Sequence, residues 1–148
     1  MIEAMSGIFV AILIIIINQI VSKYFTTKLF AAANLIAIAF IYVGYSLKGN
    51  PAESIVSEVS VALVFFFMAL IGFIRNNYLI AIGIILHGVW DIFHHNAYLI
   101  STDIPDYWPS FCLIIDIIDG IYFLIIFRKQ AQPVLVTSSK PAEILKRG

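Results

Sequence analysis

Apolar residues fall into five long runs along the 148-residue chain, at about 5–23, 29–47, 55–74, 78–98 and 109–127. A helix crossing ~30 Å of hydrocarbon needs ~20 mostly apolar residues, so each run is long enough to span a bilayer. Short polar breaks separate them, at 23–28, 48–51, 75–77 and 101–109. Pro51 and Pro109 each suit a helix start, where a missing N–H is harmless. The pattern predicts an all-α integral membrane bundle of five transmembrane helices within residues 1–129. A polar tail at 130–148, containing Pro133 and Pro141, is expected to be disordered.

Composition sharpens that reading. Hydrophobic residues make up 61% of the chain and charged residues 12%, with a mean hydropathy of +0.99. Soluble domains carry about 25% charged residues, and so little charge cannot coat a water-soluble surface. A net charge of zero gives no electrostatic footprint for nucleic acid. The single cysteine, Cys112, excludes an intrachain disulfide and any multi-cysteine zinc site. Lysine and arginine then orient the bundle. Lys23, Lys28, Arg75, Arg128, Lys129, Lys140, Lys146 and Arg147 fall on one side, and Lys48 alone on the other. The positive-inside rule places the N-terminus outside and the C-terminus in the cytoplasm. No positive charge precedes the first run, which is longer than the apolar core of a signal peptide, so it is expected to be a retained span.

The spans differ in character. The first, rich in isoleucine from Ile12 to Ile17, reads as a lipid-facing wall with only Asn18 and Gln19 near its inner end. The second carries Asn34, Tyr42, Gly44 and Tyr45, the tyrosines falling where an outer aromatic belt would lie. In the third, Ser54, Ala62, Ala69 and Gly72 form a small-residue stripe suited to close packing, and Glu58 lies on it.

The fourth span holds all three histidines. His87, Asp91, His94, His95 and Tyr98 fall within an arc of about 100° on one helix face. A charge at mid-membrane costs roughly 2.5–3.5 kcal/mol even on lenient scales, so that arc must point into the bundle. The fifth span answers it with Cys112, Asp116 and Asp119 within ~60° of one another. At ~1.5 Å per residue, Asp91 and Asp116 are both expected ~10 Å below the outer surface, and His87 and Asp119 both ~15 Å below it. Glu58 is expected near the level of His94, His95 and Cys112, at the outer boundary, where it is as readily solvated as buried. Gly88 is expected to let the two helices approach closely.

The run His87-Gly88-x-Trp90-Asp91-x-x-His94-His95, followed by Trp108-Pro109-x-Phe111-Cys112-x-x-x-Asp116, resembles a family of small bacterial multi-pass membrane proteins of unknown function. The resemblance covers about a third of the chain. It implies location in a bacterial plasma membrane and a shared signature, and no reaction.

Imidazole and carboxylate at matched depth are the ligand set of zinc, iron or manganese sites. His87, Asp91, His94 and Asp116 are the expected ligands of a divalent metal, zinc foremost. Asp119 and Glu58 are the expected acid/base groups, and His95 a supporting residue outside the ligand set. Asp91-x-x-His94-His95 is one substitution from the H-x-x-H-H box of membrane di-iron desaturases, but those enzymes use about eight histidines, so hydrolysis is favoured over oxidation. Membrane zinc amidases related to ceramidases share the ligand types only. The leading expectation is a metal-dependent enzyme acting on a lipid or amphipathic substrate, in a pocket between the third, fourth and fifth spans. A proton- or cation-coupled transporter, and a structural protein whose polar cluster only locks the fourth span to the fifth, are the alternatives. A haem bound by two histidines is disfavoured, since no histidine lies outside the fourth span. Membrane lipid and a second copy of the chain are the expected partners.

Overall fold

The computed structural model describes residues 2–94 and 102–131, and every regular element in them is helical. The chain runs α1 (Ile2–Val21), α2 (Thr27–Ala39), α3 (Ile41–Ser46), α4 (Ala52–Ile74), α5 (Asn77–His94) and α6 (Trp108–Ala131). Taking α2 and α3 as one segment, five helices are long and apolar enough to cross a membrane, as in a multi-pass membrane protein. His95, Tyr98 and the tail from 132 lie outside the described residues.

Local chemistry sets the helix ends. Thr26 caps α2, its hydroxyl accepting from the Leu29 N–H at 3.2 Å. Pro51 stands at the N-cap of α4 with Glu53 in the first turn, where a carboxylate favours the positive end of the helix dipole. Pro109 is the second residue of α6, and Arg128 and Lys129 occupy its last turn. The second span departs from the expected straight helix. It breaks at Phe40 without a proline, although Phe40 N–H still bonds to Ile36 O at 3.3 Å and Gly44 N–H to Phe40 O at 3.1 Å.

The helices form a ring: α1 packs on α6, α6 on α5, α5 on α4, and α4 on α2 and α3, while α2 also reaches α5. The α1–α2 seam is the most sparsely packed junction of that ring. The core is built from small residues and a few large ones: Ala31, Leu35, Ala62, Phe65, Ala69, Ile80, Ala81, Ile84, Phe123 and Phe127. Of the stripe expected on the third span, Ala62, Ala69 and Gly72 are buried. The closest approach that matters to the polar residues is between α5 and α6. A Cβ added at Gly88 would lie 3.1 Å from Asp116 Cβ, and one at Gly120 would overlap Ile85. Glycine at both positions therefore lets the two backbones meet. The first span turns Ile12, Leu13, Ile16 and Ile17 outward, as expected of a lipid-facing wall. It also has a packed face, with Gly7, Ala11 and Asn18 buried and Asn18 Nδ2 donating to Tyr122 OH at 2.8 Å.

Candidate metal centre

Helical periodicity puts His87, Asp91 and His94 on one face of α5, and all three are buried. Asp116 and Asp119 are likewise buried on α6. The imidazole of α5 meets the acid of α6 directly: His87 Nδ1 donates to Asp116 Oδ2 at 2.7 Å. Asp91 Oδ1 stands 3.9 Å from the same nitrogen, one turn along α5. One ligand atom each from His87, Asp91 and Asp116 lies within 4.8 Å of the others. Two ligands at ~2.0 Å from a tetrahedral ion are roughly 3.3 Å apart. The His87–Asp116 contact would open by about 0.6 Å, and Asp91 close by about as much, to hold such an ion.

The depth pairing differs from the sequence expectation by one step. His87 was expected opposite Asp119, three residues or roughly 4.5 Å deeper along α6 than the Asp116 it meets. Asp119 stands apart. It is fully buried, neither carboxylate oxygen has a hydrogen-bond partner, and Asn34 of α2 lies alongside without reaching hydrogen-bond geometry.

His94 and Glu58, expected respectively among the ligands and as an acid/base group as readily solvated as buried, pair with each other. His94 Nε2 lies 2.7 Å from Glu58 Oε1, and Glu58 is buried to 1% exposure. Thr102 Oγ1 donates to the same carboxylate oxygen at 2.7 Å. His94 Nδ1 faces Trp90 O at 3.3 Å, and a carbonyl can only accept, so Nδ1 carries hydrogen. Glu58 is thereby the acid set against His94, with the 2.7 Å separation of a hydrogen bond. His94 is thus not among the three residues whose ligand atoms converge. His95 lies outside the described residues.

A residue absent from the expected site stands between the two clusters. Tyr42, expected in the interfacial belt, is 1% exposed. Its hydroxyl donates to Asp91 Oδ1 at 2.6 Å, and its ring stacks on His94 with centroids 4.0 Å apart and planes 6° from parallel. Phe65 of α4 meets His87 edge-on at 5.2 Å. The break at Phe40, just ahead of Tyr42, was the missing information.

Charge balance follows from the inventory. Glu58, Asp91, Asp116 and Asp119 are buried with two imidazoles, and no lysine or arginine is buried among the described residues. With Glu58 set against His94 and Asp116 against His87, Asp91 and Asp119 have no basic partner of their own among the described residues. Two protons would neutralise them, because an isolated ionised carboxylate is not tolerated in an apolar interior; a divalent cation on His87 would need that imidazole neutral, and would then face three carboxyl groups, one of which keeps a proton. Asp91 Oδ2 is buried without a hydrogen bond and is free to face a cation held by His87 Nδ1 and Asp116, whereas His87 Nε2 lies on the other side of the ring.

A cavity of about 190 Å³ borders this centre. His87, Tyr42, Asp116 and Cys112 form its inner wall, and Val10, Ile14, Ile38, Ile41, Trp108, Phe111 and Ile115 complete it. The pocket was expected between the third, fourth and fifth spans. This cavity lies among α1, the α2–α3 break, α5 and α6, and a second one, bordered by Asp91, Ile92, Pro109, Ser110 and Leu113, lies between the fourth and fifth spans, while the third span supplies Glu58 and Phe65 from behind.

The class is an all-helical protein with five helices long and apolar enough to cross a membrane, around a buried His/Asp cluster that could hold a metal ion. The chain belongs to a family of unknown function (DUF6010), which matches residues 2–129. Neither the curated proteins nor the solved structures contain a significant match to it.

Proposed function

We propose that this protein is a divalent-metal-dependent membrane enzyme, hydrolase-like, acting on a lipid or other amphipathic substrate. His87, Asp91 and Asp116 hold the ion, with zinc the foremost candidate. The observation that carries the reading is the convergence of those three ligand atoms within 4.8 Å, beside a cavity whose other walls are apolar. A bound divalent ion would lower the pKa of its water towards neutrality and supply the nucleophile for hydrolysis. Asp119, three residues further along α6 with Asn34 alongside, is the acid/base candidate. Glu58 acts with His94 and Thr102 as an outer brace, and Tyr42 orients Asp91. Eight of nine basic side chains on one side support an outside N-terminus and a cytoplasmic C-terminus, with the centre in the outer half of a plasma membrane.

Metal analysis of protein purified from zinc-supplemented cells tests the reading, with His87→Ala and Asp116→Ala beside the parent. About one ion per chain in the parent, lost in both variants, is the expected result. A parent that neither retains an ion nor takes one up in titration overturns it. A second reading rests on one measurement, the 2.7 Å His87–Asp116 contact, which is a hydrogen-bond distance rather than a ligand–ligand one. On that reading two protons replace the ion, and the cluster is a proton relay or a lock between α5 and α6. Metal-free protein with pH-driven flux in liposomes marks the relay, and metal-free protein without flux marks the lock.

A further inference from the structure

The cavity beside the centre has a chemical asymmetry that points to how a substrate arrives. Its inner wall carries His87 and Asp116, while its outward walls are Val10 and Ile14 of α1 and Ile38 and Ile41, which flank the break at Phe40. Those four residues line one cavity between α1 and the α2–α3 segment, and α1–α2 is the most sparsely packed junction of the ring. Val10 and Ile14 lie eight and twelve residues from the start of α1, roughly 12 and 18 Å along a rise of 1.5 Å per residue. That level is inside the ~30 Å of hydrocarbon, so this side of the cavity looks onto acyl chains rather than water. A dry cavity of about 150 Å³ lined by apolar side chains holds a molecule the size of benzene. The roughly 190 Å³ found here therefore takes a short stretch of one hydrocarbon chain and excludes a bulky ring system.

Building on the metal-enzyme reading, we infer that the α1/α2–α3 seam is a lateral portal for a single lipid chain. The substrate enters sideways from the bilayer. Its polar group comes to rest against His87 and Asp116, and its chain lies between Val10, Ile14, Ile38 and Ile41. A substrate arriving from water would cross apolar walls to reach the same atoms. Cys112, on the inner wall of the cavity, is the only cysteine in the sequence and marks arrival at that wall.

The test is photo-crosslinking in proteoliposomes that contain a fatty acid bearing a diazirine along its chain, with adducts mapped by mass spectrometry. Adducts on Ile14, Phe111 and Cys112, competed by excess unlabelled fatty acid, are the expected result. Ile14→Trp fills the portal and should abolish those adducts, whereas Ile14→Ala widens it and should preserve them. Adducts confined to outward-facing positions such as Ile12 and Ile16, or cavity adducts unchanged by Ile14→Trp, overturn the portal. Ile38→Trp blocks the opposite wall and replaces Ile14→Trp should that variant misfold. Zinc content is measured on every sample. Retained zinc without cavity adducts defeats the portal alone, and cavity adducts in zinc-free protein defeat the metal reading alone.

Discussion

Tyr42→Phe is the most informative single change, because it removes one hydroxyl and leaves the ring stacked on His94. The hydroxyl donates to Asp91 Oδ1 at 2.6 Å, and Asp91 Oδ2 has no partner. In the variant both Asp91 oxygens are unpaired except for His87 Nδ1 at 3.9 Å, too far for a hydrogen bond. A hydrogen bond to a charged group contributes about 1.5–3 kcal/mol. Residues that orient a metal ligand typically carry 10–100-fold in affinity, which at 1.4 kcal/mol per tenfold is about 1.4–2.8 kcal/mol. The two routes agree, so zinc affinity in Tyr42→Phe should fall between tenfold and a hundredfold.

The assay is competition for zinc against a chromophoric chelator in detergent, with thermal unfolding read in parallel. At a hundredfold excess of ion over its dissociation constant, binding raises stability by about 2.7 kcal/mol. A tenfold weaker site at the same zinc concentration should lose about half of that. Tyr42→Leu also removes the stack on His94 and should destabilise the metal-free protein, which Tyr42→Phe should do far less. Zinc affinity within twofold of the parent in Tyr42→Phe would show that the hydroxyl does not position Asp91 for the ion.

Three further outcomes follow from the same contacts. Glu58→Gln should leave zinc affinity unchanged while lowering thermal stability by about 1–3 kcal/mol, since it disturbs the His94 and Thr102 contacts alone; zinc loss as complete as in His87→Ala would place Glu58 at the ion. Gly88→Ala sets a methyl 3.1 Å from Asp116 Cβ and should cost about 1–3 kcal/mol in stability together with zinc affinity. Gly44→Ala, where a Cβ meets nothing within 4 Å, is its silent control in both measurements. Acidification should weaken zinc binding, because protons occupy only the metal-free carboxylates and imidazole, by about tenfold per pH unit for each proton displaced. A pH-independent affinity between pH 5 and 8 would argue against these ligands.

The parts of this architecture readable in the sequence are those fixed by one helix at a time. Hydrocarbon thickness sets the span length, so five apolar runs became five bilayer-length segments. Helical periodicity placed His87, Asp91 and His94 on one buried face, and close packing at Gly88 followed from its missing side chain. Relations between helices were harder. Counting depth from assumed helix ends missed the α5–α6 register by three residues, which exchanged Asp119 for Asp116 as the partner of His87. Tyr42 sits near a span end, where an aromatic residue usually marks the interface. Its inward position accompanies a break at Phe40 that no proline or glycine announces. Glu58 lay on the right stripe of the third span, but only the contact with His94 from another helix decides that it is buried.

These relations between helices also explain why the polar interior is divided. His94 and Glu58 close on each other, with Thr102 donating to the same carboxylate oxygen. That leaves His87, Asp91, Asp116 and Asp119 with more acid than base, in surroundings that cannot hold bare charge. Tyr42 joins the halves asymmetrically: its ring stacks on His94, and its one proton is committed to the acidic cluster. A structure-only lock would be better served by matching each acid with a base or an amide, as with Glu58 and His94. Instead Asp116 lines a cavity whose other walls are largely apolar, and Asp91 Oδ2 and both Asp119 oxygens are buried without a hydrogen bond. An excess of acid where burying it is costly has to be met by protons or by a cation, and His87, Asp91 and Asp116 bring together the three ligand atoms a cation would use.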